Sequence, residues 1–293
     1  MKRFEFQVDE SFHRKRLDEF LFNEFTHYSK AYLRGAVKRE LCQVNGYIAN
    51  TGIELRENDF VEIFVEPDKA RAMEAQKMEL EIVFEDSAII VIDKPAGILV
   101  HPTHFERDGT ILNGLTFYLN KGREPGERFI RPHLVHRLDR ETSGILVVAK
   151  TAKASRSLCR QIKKKRFRKI YHALVEGVVG SDSGEVNVPI GRDPELKKHL
   201  VVRGGKPSIS RYKVLKRMED RTLVQLEPVT GRTNQLRIHC AHLGNPIVGD
   251  ELHGSDGTER LCLHASSVNF MHPHTNEPMA INSQPVKFNE ESR

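Results

Sequence analysis

Residues 136–149 carry the most restrictive pattern in the chain. A charged stretch, His136-Arg137-Leu138-Asp139-Arg140-Glu141, turns through Thr142-Ser143-Gly144 straight into the apolar run Ile145-Leu146-Val147-Val148-Ala149. An apolar run of this length bounded by a glycine-containing turn reads as a buried strand. The charged stretch must then stand at the mouth of that strand. Arg137 and Arg140 flank Asp139 there, and their field favours the ionised carboxylate and attracts a polyanion. Such a carboxylate can act as nucleophile or base. It can equally cap a turn or pair with an arginine, and the stretch alone leaves both readings open.

The 293 residues allow one large domain and one small one, and 39% hydrophobic residues can fill a core. No apolar run approaches the roughly 18–20 residues that cross a membrane. Met1-Lys2-Arg3-Phe4-Glu5 lacks the apolar stretch of a signal peptide, so a cytoplasmic protein without membrane contact is expected. Cys42, Cys159, Cys240 and Cys262 are scattered without a C-x-x-C pair, which argues against a zinc knuckle or disulfide framework and predicts four small buried hydrophobes. No H-E-x-x-H, G-x-S-x-G, phosphate-loop or G-x-G-x-x-G pattern is present. A hydrolase built from Asp139 and a histidine therefore has no motif behind it, and neither a metal nor a nucleotide cofactor is implied. The net charge of +6 is mild, but Arg156 to Lys169 holds eight Lys/Arg residues and no acid. That block suits phosphate contact, or simply a solvated helix face.

Residues 14–66 read as a small unit after a short extension, 1–13. Leu17, Phe20, Leu21 and Phe25 fall at helical spacing. Ser29 is placed to cap a second helix, Lys30 to about Glu40, which turns Tyr32, Leu33, Ala36 and Val37 to the core and projects Lys30, Arg34, Lys38 and Arg39. Asn45-Gly46 marks a hairpin, and Glu57-Asn58-Asp59 leads into a last strand, Phe60 to Val65. This order, with Arg16-Leu17-Asp18, Ser29-Lys30, Leu33-Arg34 and Val44-Asn45-Gly46, resembles an S4 domain, a small RNA-binding module. A polar linker, 67–79, separates it from one domain covering 80–293. Strands are expected at 88–92, 145–149, 170–175, 209–215 and 222–228, and helices near 111–119, 152–165 and 233–243. They do not alternate regularly, so the fold class is α+β, a mixed, mainly antiparallel sheet with flanking helices.

Two further blocks carry chemistry. In Arg168-Lys169-Ile170-Tyr171-His172-Ala173-Leu174-Val175-Glu176-Gly177, a strand puts Tyr171, Ala173 and Val175 on one face, with Ala173 leaving room beside the tyrosine. Tyr171 could stack on a base, move a proton, or merely fill the core. In Glu227 to His239, Thr233 is expected to cap a helix with Gln235 and Arg237 in its first turns and Leu236, Cys240 and Leu243 toward the core.

Together these blocks are similar to the RluA/RluD-type pseudouridine synthases. The resemblance spans nearly the whole chain, through Asp93-Lys94-Pro95-Ala96-Gly97, Val100-His101-Pro102, His136 to Lys150, Lys169 to Gly177, Gly231 to His239, Pro246-Ile247-Val248-Gly249-Asp250 and Leu263-His264-Ala265. Asn234 departs from the pattern, where histidine is commoner. The resemblance implies isomerisation of uridine to pseudouridine in RNA without metal or other cofactor. It makes Asp139 the group acting at the ribose, Tyr171 the residue stacking on uracil and shuttling a proton, and Arg237 the partner that pairs with Asp139. It makes Leu263 the apolar residue lining the pocket, and Arg137, two residues before Asp139, is the candidate to fill the space left by the flipped base. Lys30, Arg34 and Lys38 of the small unit, with Lys163, Lys164, Lys165 and Arg166, supply phosphate contacts. Ribosomal RNA of the large subunit is the leading substrate and transfer RNA the second, with no obligate protein partner evident. The competing class is a non-catalytic RNA-binding or ribosome-assembly protein of the same fold. The presence of Asp139, Tyr171 and Arg237 together argues against it.

Overall fold

The computed structural model describes residues 1–25, 28–67, 74–103, 105–123, 129–255, 260–283 and 288. The chain forms two compact units, Met1–Ala75 with Asn120–Arg131, and Gln76–Leu119 with Pro132–Arg293.

The first unit contains β1 (Lys2–Gln7), a 3-10 turn (Glu10–Phe12), α1 (Leu17–Glu24), α2 (Lys30–Lys38), β2 (Cys42–Val44), β3 (Tyr47–Ile48) and β4 (Phe60–Val65). The strands form an antiparallel sheet in the order β1-β4-β2-β3. Ser29 caps α2 by accepting the Tyr32 N–H at 3.1 Å. Asn45 and Gly46 both have positive φ, the geometry that a two-residue hairpin turn demands. The first thirteen residues are not an extension. Lys2–Gln7 alternates polar and aromatic residues, and Phe4 and Phe6 meet Phe25 edge-to-face at 5.2 and 5.4 Å. Segment 120–131, expected in the larger domain, also belongs to this unit, where Arg131 donates to the Tyr28 carbonyl at 3.1 Å. Of the expected linker, residues 68–73 lie outside the described residues.

The second unit begins with β5 (Glu81–Glu85), β6 (Ile89–Lys94), α3 (Ile111–Asn120), β7 (His133–Leu134), β8 (Ser143–Ala149), α4 (Ala152–Lys163) and β9 (Arg168–Glu176). It continues with β10 (Ser183–Asn187), β11 (Ile190–Arg192), β12 (His199–Val201), β13 (Ile209–Arg217), β14 (Arg221–Pro228), α5 (Gln235–His242), β15 (Leu263–Met271) and β16 (Pro278–Asn282). The large sheet runs β10-β13-β14-β9-β15-β8-β6-β5, with β16 beside β15 and β7 beside β8. It is the mixed, mainly antiparallel sheet expected. Its parallel pairing joins β15 to β8, His264 opposite Ser143 and Ala265 opposite Gly144.

β8 is buried along its whole length. Ile145, Val147 and Ala149 pack with Ile89, Val91, Val268 and Phe270, and α4 covers them with Ala154 and Leu158. Each large aliphatic side chain buried here contributes about 1.5–3 kcal/mol. Gly144 is required where β8 meets β15: its φ is +112°, and a Cβ there would lie 2.3 Å from the Ala265 carbonyl oxygen. Cys42, Cys240 and Cys262 are buried as expected, whereas Cys159 on α4 is exposed.

Candidate active site

The loop before β8 is held from beneath by a buried ammonium. Lys94, at the end of β6, is wholly buried and donates to the carbonyls of Pro95 at 2.7 Å, Ile98 at 2.8 Å and Arg140 at 2.9 Å. The Arg140 carbonyl also accepts the Gly97 N–H at 3.0 Å, and the Asp139 carbonyl accepts the Thr142 N–H at 3.2 Å. Asp139 is thus presented by a loop tied to the turn after β6. Burial pushes the Lys94 ammonium down to about 8, against the pull of Glu141 and Asp139. Arg140 is drawn into an ion pair with Glu106, while Arg137 stays exposed. His136 accepts the Val147 N–H through Nε2 at 3.0 Å, and burial pushes it down to about 3, so it is neutral.

The facing wall comes from the sheet. On β9, Tyr171, Ala173 and Val175 are all buried, as their alternation requires. Leu263 of β15 lies opposite Ala173, and Ala265 opposite Tyr171. Burial raises the Tyr171 hydroxyl above its ordinary range, and the Asp139 charge raises it further. The same charge acts on Lys169, whose ammonium burial pushes down and Asp139 pushes back up.

A cleft of about 290 Å³ gathers these groups, lined by Asp139, Tyr171, Arg237, Leu263 and Arg137 among others. The structure therefore brings together every catalytic and pocket residue expected from the sequence. One pairing differs. Arg237 does not bond Asp139. Its Nε donates to Asp250 Oδ2 at 2.8 Å and its Nη2 to Asp250 Oδ1, in a pair almost closed to solvent. Burial works against the guanidinium charge, but Asp250 above all, then Asp139 and Glu141, hold its pKa above the ordinary value. Asp139 acts on Arg237 through space.

The start of α5 also differs from expectation. Its N-cap is Asn234, in the left-handed region with φ 54°, and Thr233 makes no cap. Gln235 orders the turn instead. Its amide oxygen accepts from Arg232 N–H at 3.0 Å and the Thr230 hydroxyl at 2.8 Å, and its nitrogen donates to the Ile209 carbonyl at 2.8 Å. Leu236 and Cys240 are buried, but Leu243 is 41% exposed because α5 ends at His242.

Lys163, Lys164, Lys165 and Arg166 are all exposed at the end of α4. Ile162 and Lys169, which bracket them, line the cleft, so the basic run adjoins it. In the other unit, Lys30 and Lys38 project from α2, but Arg34 is bound to the buried Asp18 at 2.9 Å. Sequence reasoning gave no role to His136, Lys169, Lys94 or Asp250. All four stood inside motifs already singled out, and only the tertiary structure reveals what each one holds or meets. Among the described residues no group of three His, Cys, Asp or Glu is placed to hold a metal, and no helix is long and apolar enough to cross a membrane.

The chain is similar to proteins already known. The model of the RNA pseudouridylate synthase family matches residues 88–242. The Bacillus subtilis protein described as the uncharacterized RNA pseudouridine synthase YlyB is 34% identical over 281 residues, 94% of this chain and 92% of that one. The ribosomal large subunit pseudouridine synthase D of Pseudomonas aeruginosa is 39% identical over 248 residues, 82% of this chain and 74% of that one. Among solved structures, human RNA pseudouridylate synthase domain containing 1 is similar with a TM-score of 0.59 at 28% identity, over 77% of this chain and 88% of that one.

Proposed function

Because the chain belongs to the RluA/RluD-type RNA pseudouridine synthases, we propose that Asp139 is the group that works on the ribose and that large-subunit ribosomal RNA is the substrate. The observation that carries the first part is convergence. Asp139 from the loop before β8, Tyr171 from β9, Arg237 from α5 and Leu263 from β15 meet in one cleft. Asp139 acts at the ribose as the glycosidic bond opens, the uracil turns, and a carbon–carbon bond closes. Tyr171, kept protonated by burial and by Asp139, stacks on the base and relays a proton. Leu263 walls the pocket, and Arg137, exposed at the rim, occupies the space that the flipped nucleotide leaves.

The substrate reading rests on relatives from Pasteurella multocida and Pseudomonas aeruginosa, both named ribosomal large subunit pseudouridine synthase D. The first unit serves as an S4-like RNA-binding module, its α2 presenting Lys30 and Lys38, and the exposed run Lys163 to Arg166 meets phosphates beside the cleft. The protein works in the cytoplasm.

The test is pseudouridine mapping of RNA from cells lacking the gene, complemented with wild type or with Asp139→Ala. Wild type is expected to restore one or more large-subunit sites and the variant none. Sites restored only in transfer RNA would overturn the substrate reading, and full restoration by the variant would overturn the role of Asp139.

A further inference from the structure

Among the described residues Phe105 is the most exposed large hydrophobic side chain, at 96%. At that exposure the ring adds little to the core, since burial is what makes a phenylalanine stabilising. Single apolar side chains on a surface are ordinary. Phe105 differs from them in how its turn is held and in what that turn is tied to.

The Thr103 N–H donates to the Glu106 carbonyl at 2.7 Å, and the Glu106 N–H donates to the Thr103 hydroxyl at 3.0 Å. These bonds draw Thr103 and Glu106 together, with Phe105 on the turn between them. The base of the loop is closed as well. The Ile111 N–H donates to the Leu99 carbonyl at 2.9 Å and the Leu112 N–H to the Val100 carbonyl at 3.1 Å, while the Gly109 N–H donates to Gln76 Oε1 at 2.6 Å. Phe105 is thus presented to solvent on an ordered support.

That support is joined to the loop carrying Asp139. Glu106 is ion-paired with Arg140, the neighbour of Asp139, and the Gly97 N–H donates to the Arg140 carbonyl. His101 lies within reach of Arg137: burial pushes its imidazole below the ordinary value, and the Arg137 charge pushes it further. Arg137 lines the cleft, so the turn stands at the rim on the side of Arg137. Nothing on the turn repels a phosphate backbone in net. Arg140 neutralises Glu106, and exposed Arg107 offsets exposed Asp108.

We propose that Phe105 is a stacking subsite for an unpaired base of the substrate RNA, beside the uridine drawn into the cleft. Flipping a uridine unstacks it from its neighbours in the strand. Single-stranded RNA is held where unstacked bases meet aromatic rings. Each base has a π-face, so such a contact holds the strand without reading its sequence. Arg137 takes the place of the departed uridine, and Phe105 holds a flanking base against the rim. The device favours a uridine in a loop, whose neighbours are free to splay, over one inside a duplex. It rests on the reading of the cleft as the place that receives the flipped uridine.

The experiment uses full-length protein and a transcript of the RNA segment that carries the mapped site. Single-turnover conversion is followed against protein concentration. Phe105→Ala is expected to raise the half-saturating concentration at least about fivefold, the lower limit for one stacked base, with the rate at saturation within about twofold of wild type. A smaller rise, or a fall confined to the saturated rate, overturns the proposal. Phe105→Leu keeps apolar bulk without a π-face and is expected to bind more weakly than wild type; equal affinity overturns stacking. The urea midpoint of Phe105→Ala is expected to match wild type, and a lowered one makes the ring part of the fold and overturns the subsite. The chain has no tryptophan, so Phe105→Trp places a single indole at the rim. Its fluorescence is expected to be quenched when the transcript binds, and unchanged emission at saturation overturns the proposal. This readout needs no turnover and is made in the Asp139→Ala background. Wild-type conversion by Asp139→Ala alone defeats the reading of Asp139, whatever the Phe105 variants do.

Discussion

At the scale of single residues, the cleft separates two duties that a tyrosine could share. The Tyr171 ring belongs to the buried face of β9, while its hydroxyl is kept protonated by burial and by the Asp139 charge. Tyr171→Phe keeps the ring and removes only the O–H. Conversion is expected to fall by about 10²–10⁴-fold, the range of a lost proton relay, with RNA affinity unchanged. A phenylalanine variant at full speed in a single-turnover assay would reduce the tyrosine to a wall. Asp139, Tyr171 and Leu263 were legible in the sequence because each stands in a local motif whose neighbours fix its direction. The partner of Arg237 was not. Asp250 lies thirteen positions beyond it, and nothing along the chain tells whether the guanidinium turns toward Asp139 or Asp250. That choice is made by packing, which pins Pro246 and Val248, just before Asp250, to the backbone of β9.

At the scale of elements, the sites follow from where strands can approach. β15 comes close enough to β8 for a Cβ on Gly144 to fall 2.3 Å from the Ala265 carbonyl oxygen, and φ there is +112°. Gly144→Ala must shift backbone, and the strain and the overpacking each cost about 1–3 kcal/mol. The urea midpoint is expected to drop accordingly, and a midpoint within error of wild type would show that the junction yields freely. Strand 145–149 was readable as an unbroken apolar run, and 222–228 from the alternation of Val224 and Leu226 with polar neighbours. β15 was not, because its sequence, Leu263-His264-Ala265-Ser266-Ser267-Val268, is polar where it is buried. His264 is satisfied only by distant groups, Ser143 at 2.9 Å and Ser283 at 2.8 Å, and Ser283 in turn bonds Asp93. A strand held by such a chain leaves no hydrophobic signature. β1 did leave one, the alternation of Phe4 and Phe6, but its pairing with β4 depends on residues some sixty positions away.

At the scale of the whole molecule, stability has a built-in acid limit. Burial pushes His136 down to about 3 and His239 and His264 to about 4, against 6.5 for an exposed histidine. Below 6.5 the unfolded chain binds protons at these positions that the folded chain refuses. Their contribution is therefore complete above 6.5 and is lost as pH falls toward 4. Within that window each histidine costs about 1.4 kcal/mol per pH unit. Urea unfolding is expected to shift to a clearly lower midpoint at pH 5 than at pH 7; equal midpoints would contradict neutral burial. The placement of β15 has a consequence of another kind. Residues 81–149 and 168–228 can each complete their own antiparallel strands as they leave the ribosome. Among the described residues the two halves of the sheet are joined through β15, which also brings Leu263 to the cleft. Asp139 and Tyr171 therefore wait, on separate half-sheets, until translation has passed Met271. A chain ended before β15 lacks Leu263 and the strand that closes the sheet, so it is expected not to modify RNA.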